Sequence, residues 1–239
     1  MSSLLLLFIT LLASSRGQEE LSVYPIIMPM VVPSKNEIYL CTSIDLSATN
    51  ETFWVRGFEP RVSEARVHHM IVAASATRPP RTPFNVWNCG NEKHQDPNYP
   101  NHSVFPDSAD GVDTTIYLWA YGGRRTMLPP DTAFKVGGDS QIRHLVLQVH
   151  YINVENVEYG AEKDKEGDSS GVYLYYTREP QKRLAGVLSM HVDTNVPRLA
   201  RSFQDVACKI QENKVFNLSL FLLPFLIDHS ICKLHSRQN

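Results

Sequence analysis

The sequence predicts an all-β fold, specifically an antiparallel β-sandwich. The chain has 239 residues, 43% of them apolar, which is enough to bury the core of one domain or slightly more. Its body divides into short runs rich in Val, Ile, Tyr, Phe and Thr, separated by clusters of Pro, Gly, Asn and Asp. No stretch of the body carries a persuasive helical period, so strands packed as a sandwich are favoured.

Six runs have the lengths and boundaries of strands. They cover residues 37–46, 52–60, 67–75, 114–122, 143–154 and 171–177. The segment 77–112, between the third and fourth runs, is punctuated by prolines and predicts a long loop. A loop of that length in a compact domain is usually functional or mobile.

The first residues, "MSSLLLLFITLLASSRGQEE", predict a secretory signal peptide over residues 1–17. An apolar run from Leu4 to Ala13 precedes small residues and is too short to span a bilayer. We therefore expect a secreted protein, or one in the lumen of the secretory pathway. The net charge of −2 gives no indication of nucleic-acid binding, and no membrane span is predicted.

The secretory compartment permits disulfides and glycosylation. The four cysteines contain no C-x-x-C pair, which argues against a zinc ribbon or a thioredoxin-type motif. Of three sequons, those at Asn50 and Asn101 lie in turn-like polar stretches and are the better candidates for glycosylation, while the third is at Asn217.

Two adjacent histidines, His68 and His69, stand at the start of the apolar run "VHHMIV". Successive side chains of a regular strand point to opposite faces. Either one imidazole is on the surface and the other is packed, or a local distortion such as a β-bulge brings both to one ligand.

A third histidine, His150, lies in "RHLVLQVHY". A period of two places Leu145, Leu147, Val149 and Tyr151 on one face, which is a core face. Gln148 and His150 fall on the opposite, more polar face, so we expect His150 to be displayed in a cleft. The alternative is that His150 merely caps a strand and the adjacent pair is incidental.

Three imidazoles from two strands would form a nitrogen-rich metal site. Imidazole suits copper, zinc, iron and nickel, and the affinity order favours Cu(II) among divalent ions. Three ligands with an open position suit a redox or catalytic metal better than a closed structural one.

The quoted motifs resemble those of the copper type II, ascorbate-dependent monooxygenases. The resemblance runs from about Tyr39 to about Cys208 through "VHHMIV", "FKVGG", "LVLQVHY", "SSGVYLYYT" and "LAGVLSMHVDTNVP". Within that family the peptidylglycine-hydroxylating type is the nearer match. The resemblance implies two β-sandwich domains facing each other across a cleft, each holding one copper.

The resemblance also implies roles for individual residues. His68, His69 and His150 correspond to the ligands of the electron-transfer copper. Gln148 corresponds to a residue on the route between the two coppers, and Tyr39 to a tyrosine beside the second histidine. Ascorbate would donate electrons, O₂ would be the co-substrate, and a glycine-extended peptide would be the substrate.

The cysteines follow the family only in part. Cys41 and Cys89 match a family disulfide pair, whereas Ser75 and Ser169 stand where other members have cysteine. Cys208 would pair within the family's second domain, so in this chain its partner is Cys232 or none.

By the same resemblance, residues 18–180 form a jelly-roll-like copper monooxygenase domain and 181–214 begin a second sandwich. Residues 215–239 form an apolar tail outside the family pattern, for which a buried terminal strand is the alternative. We expect a peptidylglycine monooxygenase-like protein that is inactive alone because the second copper site and the peptide clamp are missing. The alternatives are a dopamine β-monooxygenase-type enzyme and a non-catalytic secreted copper-binding domain.

Overall fold

A computed structural model describes residues 20–62, 66–102, 114–154, 167–187, 205–208 and 232–235. The predicted signal peptide, the sequon at Asn217 and most of the predicted tail lie outside these residues. Within them the chain forms β-strands and two short 3-10 turns, and the strands build two main sheets. The predicted all-β, antiparallel sandwich is confirmed.

The first sheet is ordered β1-β10-β3-β8-β11, with β7 also paired to β3. Its strands are β1 (Ser22–Ile27), β3 (Thr52–Arg61), β7 (Thr126–Met127), β8 (Thr132–Gly137), β10 (Gly171–Thr177) and β11 (Arg183–Leu184). All pairings are antiparallel except the short parallel contact between β11 and β8.

The second sheet is ordered β5-β2-β9-β4-β6, and all its pairings are antiparallel. Its strands are β2 (Ile38–Asp45), β4 (Val67–Ser75), β5 (Trp87–Asn88), β6 (Thr114–Ala120) and β9 (His144–Tyr151). β9 is central and hydrogen-bonds to β2 on one side and β4 on the other, so it brings the predicted metal ligands of β4 and β9 onto neighbouring strands.

The core lies between the two sheets. Alternate residues of β9 (Leu145, Leu147 and Val149) meet Phe58 and Val172 of the first sheet in one cluster of buried side chains. Phe58 also stacks on Tyr117 of β6, with ring centroids 4.7 Å apart. The inward face of the second sheet is therefore the core face, and its outward face is available for a site.

The long loop after β4 packs on that outward face. It contains 3-10 turns at Pro83–Asn85 and Glu92–His94 with β5 between them. Trp87 is buried with Cys41, Cys89 and Val146 in a second, smaller cluster. The loop is thus an integral cover of part of the sheet.

The last strands to be described are β12 (Asp205–Cys208) and β13 (Cys232–His235), which pair antiparallel with Cys208 opposite Cys232. The division of the chain at residue 180 stays a prediction, although β11 extends the first sheet slightly past it. Nowhere in the described ranges is there a helix with the length and apolarity needed to cross a membrane.

Candidate metal centre

A β-bulge in β4 puts His68 and His69 on the same face. Val67 pairs with Tyr151 and His69 pairs with His150, so β4 has one residue more than β9 at this point. The extra residue is His68. Val67 and Met70 both point into the core, with 2% and 0% exposure, which leaves both histidines between them on the outward face. The distortion that was one of two alternatives is the one observed.

The three histidines converge through the same ring nitrogen. Nδ1 of His68 lies 3.1 Å from Nδ1 of His69 and 3.3 Å from Nδ1 of His150. Ligand atoms of all three lie within 4.8 Å of one another. If Nδ1 of His68 carries a hydrogen, that hydrogen can bond well to the Nδ1 atom of only one neighbouring histidine. The lone pair on Nδ1 of the other neighbour is then left facing His68 with no hydrogen between the two atoms. A cation between the rings would satisfy all three nitrogens at once.

The spacing and chemistry of these atoms fit a transition-metal ion. Imidazole nitrogens bind such ions at about 2.0 Å, which places two ligands on one ion roughly 2.8–4 Å apart. The two measured Nδ1 separations fall in that range. An all-imidazole donor set suits copper and zinc and disfavours calcium and magnesium.

The site is graded from solvent to interior. His68 is exposed, His69 is half-buried and His150 is buried. Burial, followed by the neighbouring His150 and His68, lowers the pKa of His69 to about 4. Burial also lowers the pKa of His150, although the Glu37 carboxylate opposes this. Both rings are therefore neutral at pH 7, the form in which imidazole binds a metal.

The expectation that Gln148 and His150 lie on an open, polar face is wrong. Every residue of β9 is buried, and Gln148 and His150 are only 7% and 5% exposed. Trp87 and Cys89 of the long loop cover Val146 and Gln148, while Tyr39 of β2 stacks on His150. A period of two identifies a face, but it does not reveal that a distant segment covers it.

Tyr39 is stacked directly on His150. Their ring centroids are 4.2 Å apart and the planes differ by 4°. Tyr39 also contacts His69, at 5.9 Å between centroids. Burial, and then the Glu37 carboxylate, raise the pKa of Tyr39, so the ring stays a neutral phenol. It lies beside two of the three histidines.

Two residues of the site were missed in the sequence. Oε2 of Glu37 lies 3.0 Å from Nε2 of His150, and His94 packs edge-on against Tyr39 at 5.7 Å. The alternation that starts at Tyr39 places Glu37 on the same face of the chain, which is a signal that could have found it. Nothing local in the sequence indicates His94, because the loop carries it there.

A disulfide joins Cys41 to Cys89, with Cα atoms 5.8 Å apart, and confirms the pairing implied by the resemblance. It fixes the loop to β2 next to the site, where Cys89 N also donates to Tyr39 O at 3.0 Å. Gln148 lies opposite Cys41, and its Nε2 is 3.6 Å from Cys89 Sγ. Gln148 thus lies on the same face of the sheet as His150 and packs against the disulfide.

The fourth histidine of these two strands, His144, lies apart from the site. It is at the far end of β9, about 20 Å along the strand from His150, and faces Asp45. The two candidate glycosylation sites also lie elsewhere. Asn50 is exposed before β3. Asn101 is exposed too, and its Oδ1 accepts from Asn88 Nδ2 at 2.8 Å, which leaves its own amide nitrogen outside that contact. Glycosylation of both asparagines stays a prediction.

A family model matches more than half of the chain. Residues 24–158 match the model of the copper type II ascorbate-dependent monooxygenase N-terminal domain. Peptidyl-glycine alpha-amidating monooxygenase A of Xenopus laevis is 34% identical over 183 residues, which cover 76% of this chain and 17% of that protein. The rat peptidylglycine alpha-amidating monooxygenase is 34% identical over 71% of this chain and 15% of its own length.

Human dopamine beta-hydroxylase is 28% identical over 162 residues, which cover 66% of this chain and 24% of that protein. The chain therefore spans a quarter or less of the length of each of these three relatives.

Proposed function

Because the chain belongs to the copper type II ascorbate-dependent monooxygenase family, we propose that His68, His69 and His150 hold one copper ion that serves in electron transfer. The observation that carries the proposal is the convergence of three Nδ1 atoms on one face of the second sheet. When bound, copper supplies one-electron redox chemistry, with ascorbate as the donor and O₂ as the co-substrate of the overall reaction.

The residues of the site suit that role. The neutral rings of His69 and His150 offer lone pairs without first losing a proton at pH 7. His68 is exposed, so a small reductant can approach the ion from solvent. Tyr39 and the neighbouring disulfide hold the buried side of the site in place. The arrangement combines a fixed interior with an open edge.

Gln148 is proposed to lie on the path by which electrons leave the ion. Its position two residues before His150 on the same outward face supports this, as does its burial against the disulfide. A buried amide offers polar atoms in a region otherwise closed to water.

The proposed reaction is hydroxylation of the α-carbon of a C-terminal glycine in a peptide, the first step of peptide amidation. It is supported by 34% identity to peptidyl-glycine alpha-amidating monooxygenases. A dopamine β-monooxygenase-type reaction is the second candidate, supported by the lower identity of 28% to dopamine beta-hydroxylase. In either case the described residues contribute one group of three metal-ligating side chains.

The proposed location is the secretory pathway or the extracellular space. The apolar leader-like residues 1–17 and two exposed sequon asparagines support it. The disulfide supports it as well, since disulfides persist in oxidising compartments.

Copper loading of the purified chain tests the proposal. We expect about one copper per chain, with a Cu(II) paramagnetic resonance signal that ascorbate removes. Replacing His68, His69 or His150 with Ala should sharply reduce the bound copper, because the two remaining imidazoles hold an ion much less tightly. His102→Ala is the matched control, since His102 is exposed on the long loop. Equal copper retention in all four variants would rule out the assignment.

A further inference from the structure

We propose that Glu37 is a positioning residue for the metal centre, which fixes His150 in the tautomer that presents Nδ1 to the ion. This rests on the proposed copper site and deepens it. The starting observation is the 3.0 Å contact between Oε2 of Glu37 and Nε2 of His150.

The contact selects one tautomer of His150. An ionised carboxylate only accepts hydrogen bonds, so the hydrogen in this contact belongs to Nε2. In a neutral imidazole the other nitrogen then carries the lone pair. That nitrogen is Nδ1, which lies 3.3 Å from Nδ1 of His68. Glu37 therefore directs the lone pair of His150 toward the other two histidines.

Tyr39 and Glu37 restrain the same ring in different directions. Tyr39 stacks against the face of the imidazole at 4.2 Å, which sets its plane. Stacking does not distinguish a ring from the same ring flipped about its long axis, because both lie in one plane. Only a contact at the edge does so, and Glu37 supplies it. A flip would exchange nitrogen for carbon at both polar positions.

Glu37 is itself held by its backbone. Its carbonyl accepts from Nδ1 of His94 at 2.6 Å. The preceding residue, Asn36, accepts from the backbone N–H of Val154 at 2.6 Å, which ties this turn to the segment after β9. Glu37 has a φ of 56°, a conformation that a non-glycine residue adopts only when its surroundings impose it.

The effect of Glu37 is expected to act through the hydrogen bond rather than through its charge at a distance. Its side chain is 58% exposed, so water screens the charge. A carboxylate that accepts the second N–H of a ligating histidine orients the ring and raises its basicity. Loss of such a partner typically weakens metal binding about 10- to 100-fold.

The test compares three variants, Glu37→Ala, Glu37→Gln and the control Glu92→Ala. Glu92 is an exposed acid on the same loop as His94, so its removal changes net charge equally. Two quantities are measured: the dissociation constant for copper by chelator competition, and the tautomer of His150 in the copper-free protein from its ¹⁵N chemical shifts. Because Glu37 is exposed, all three variants should fold.

In the unmodified chain, His150 should carry its hydrogen on Nε2. Glu37→Ala should give a mixture of tautomers and a copper dissociation constant weaker by about 10- to 100-fold. Glu37→Gln keeps an acceptor oxygen, so it should largely restore the tautomer and part of the affinity. Glu92→Ala should change neither quantity.

The outcomes separate this proposal from the copper site itself. If the unmodified chain binds copper and Glu37→Ala binds it equally tightly with an unchanged tautomer, Glu37 has no positioning role. If the unmodified chain takes up no copper, the proposed function fails. The tautomer of copper-free Glu37→Ala then decides alone, since an unchanged Nε2–H form would overturn the role of Glu37.

Discussion

Three imidazoles with their Nδ1 atoms together make proton binding and metal binding compete at single residues. In the copper-free protein, half-burial and the neighbouring rings disfavour a charge on His69 and lower its pKa to about 4. The same features favour a metal, which replaces the unfavourable contact between lone pairs with three bonds. The environment of these histidines therefore disfavours proton binding and favours metal binding.

This competition predicts how the stability of the copper-free protein depends on pH. In the unfolded chain His69 has an ordinary pKa of about 6.5. Between that value and about 4 the unfolded state binds more protons at this position, so the free energy of unfolding falls as pH falls. We expect unfolding temperatures measured with a chelator to drop from pH 7 to pH 4.5, and to drop less in His69→Asn.

His102→Asn serves as the control for that measurement and should follow the unmodified chain. Only the sign is predicted, because His69 is half-exposed and water screens part of the effect. An identical pH dependence in His69→Asn would contradict the expectation.

Among the strands, the accuracy of the sequence prediction depended on how local the signal is. All six predicted strands exist, with ends within a few residues, because period and turn residues are local properties. β1 was missed since Pro25 interrupts its run, yet β1 is an edge strand, where proline is tolerated. β8, whose run includes Lys135, is not among the six predicted strands.

The candidate site divides in the same way. The adjacent histidines made a bulge one of two explicit alternatives, and the observed pairing selects it. The burial of Gln148 and the position of His94 were not predictable, because both depend on a loop distant in sequence that the disulfide holds against the sheet.

The bulge in β4 can be removed by deleting His68. Val67 and Met70 would then flank a single outward residue, His69, which restores regular alternation with both still in the core. We expect the deletion variant to fold with its sheet intact and to lose copper affinity to the same extent as His68→Ala. Circular dichroism and copper competition check the two parts. If the variant unfolds, the bulge is needed for the stability of the sheet. If it binds copper normally, the bulge is not needed to bring the ligands together.

The disulfide should contribute measurably to stability. It closes a loop across a sequence separation of 48 residues, and such a cross-link typically stabilises a domain by about 2–4 kcal/mol. The double variant with Cys41→Ser and Cys89→Ser should therefore unfold at lower urea concentration. Adding reductant to the unmodified chain should reproduce the loss, whereas unchanged unfolding in both cases would contradict it.

For the molecule as a whole, the apolar core and the metal centre occupy opposite faces of one sheet. The core lies between the sheets, while the three histidines lie on the outward face of the second. Substitutions at the site therefore remove few core contacts. The chemistry can be tested by mutation without unfolding the sandwich.

The single group of metal ligands among the described residues leads to a prediction about turnover. The described residues bring together one group of three metal ligands, and the proposed hydroxylation requires, besides electron delivery, a position where O₂ and substrate meet. Positioning of reactants supplies roughly 7–11 kcal/mol of an enzyme's advantage. We expect ascorbate to reduce the copper bound to the purified 239-residue chain. The chain should nevertheless form little or no α-hydroxyglycine from a peptidyl-glycine substrate.

Product analysis by mass spectrometry checks this, with the peptidyl-glycine alpha-amidating monooxygenase A of Xenopus laevis as the positive control. Robust product formation that a chelator abolishes would mean that the chain supplies a second metal site outside the described residues.

The bulge in β4 also affects how much conformational entropy the chain loses when the metal centre forms. Two of the ligands are neighbours in the chain, so they arrive together once β4 forms. The third is 82 residues from His68, but it comes with the pairing of β4 and β9 that the sheet needs anyway. The site therefore closes no loop of its own beyond those of the fold. Copper should bind to a centre that the folded sheet has already assembled, and it should raise the unfolding temperature with concentration as a ligand of the native state does.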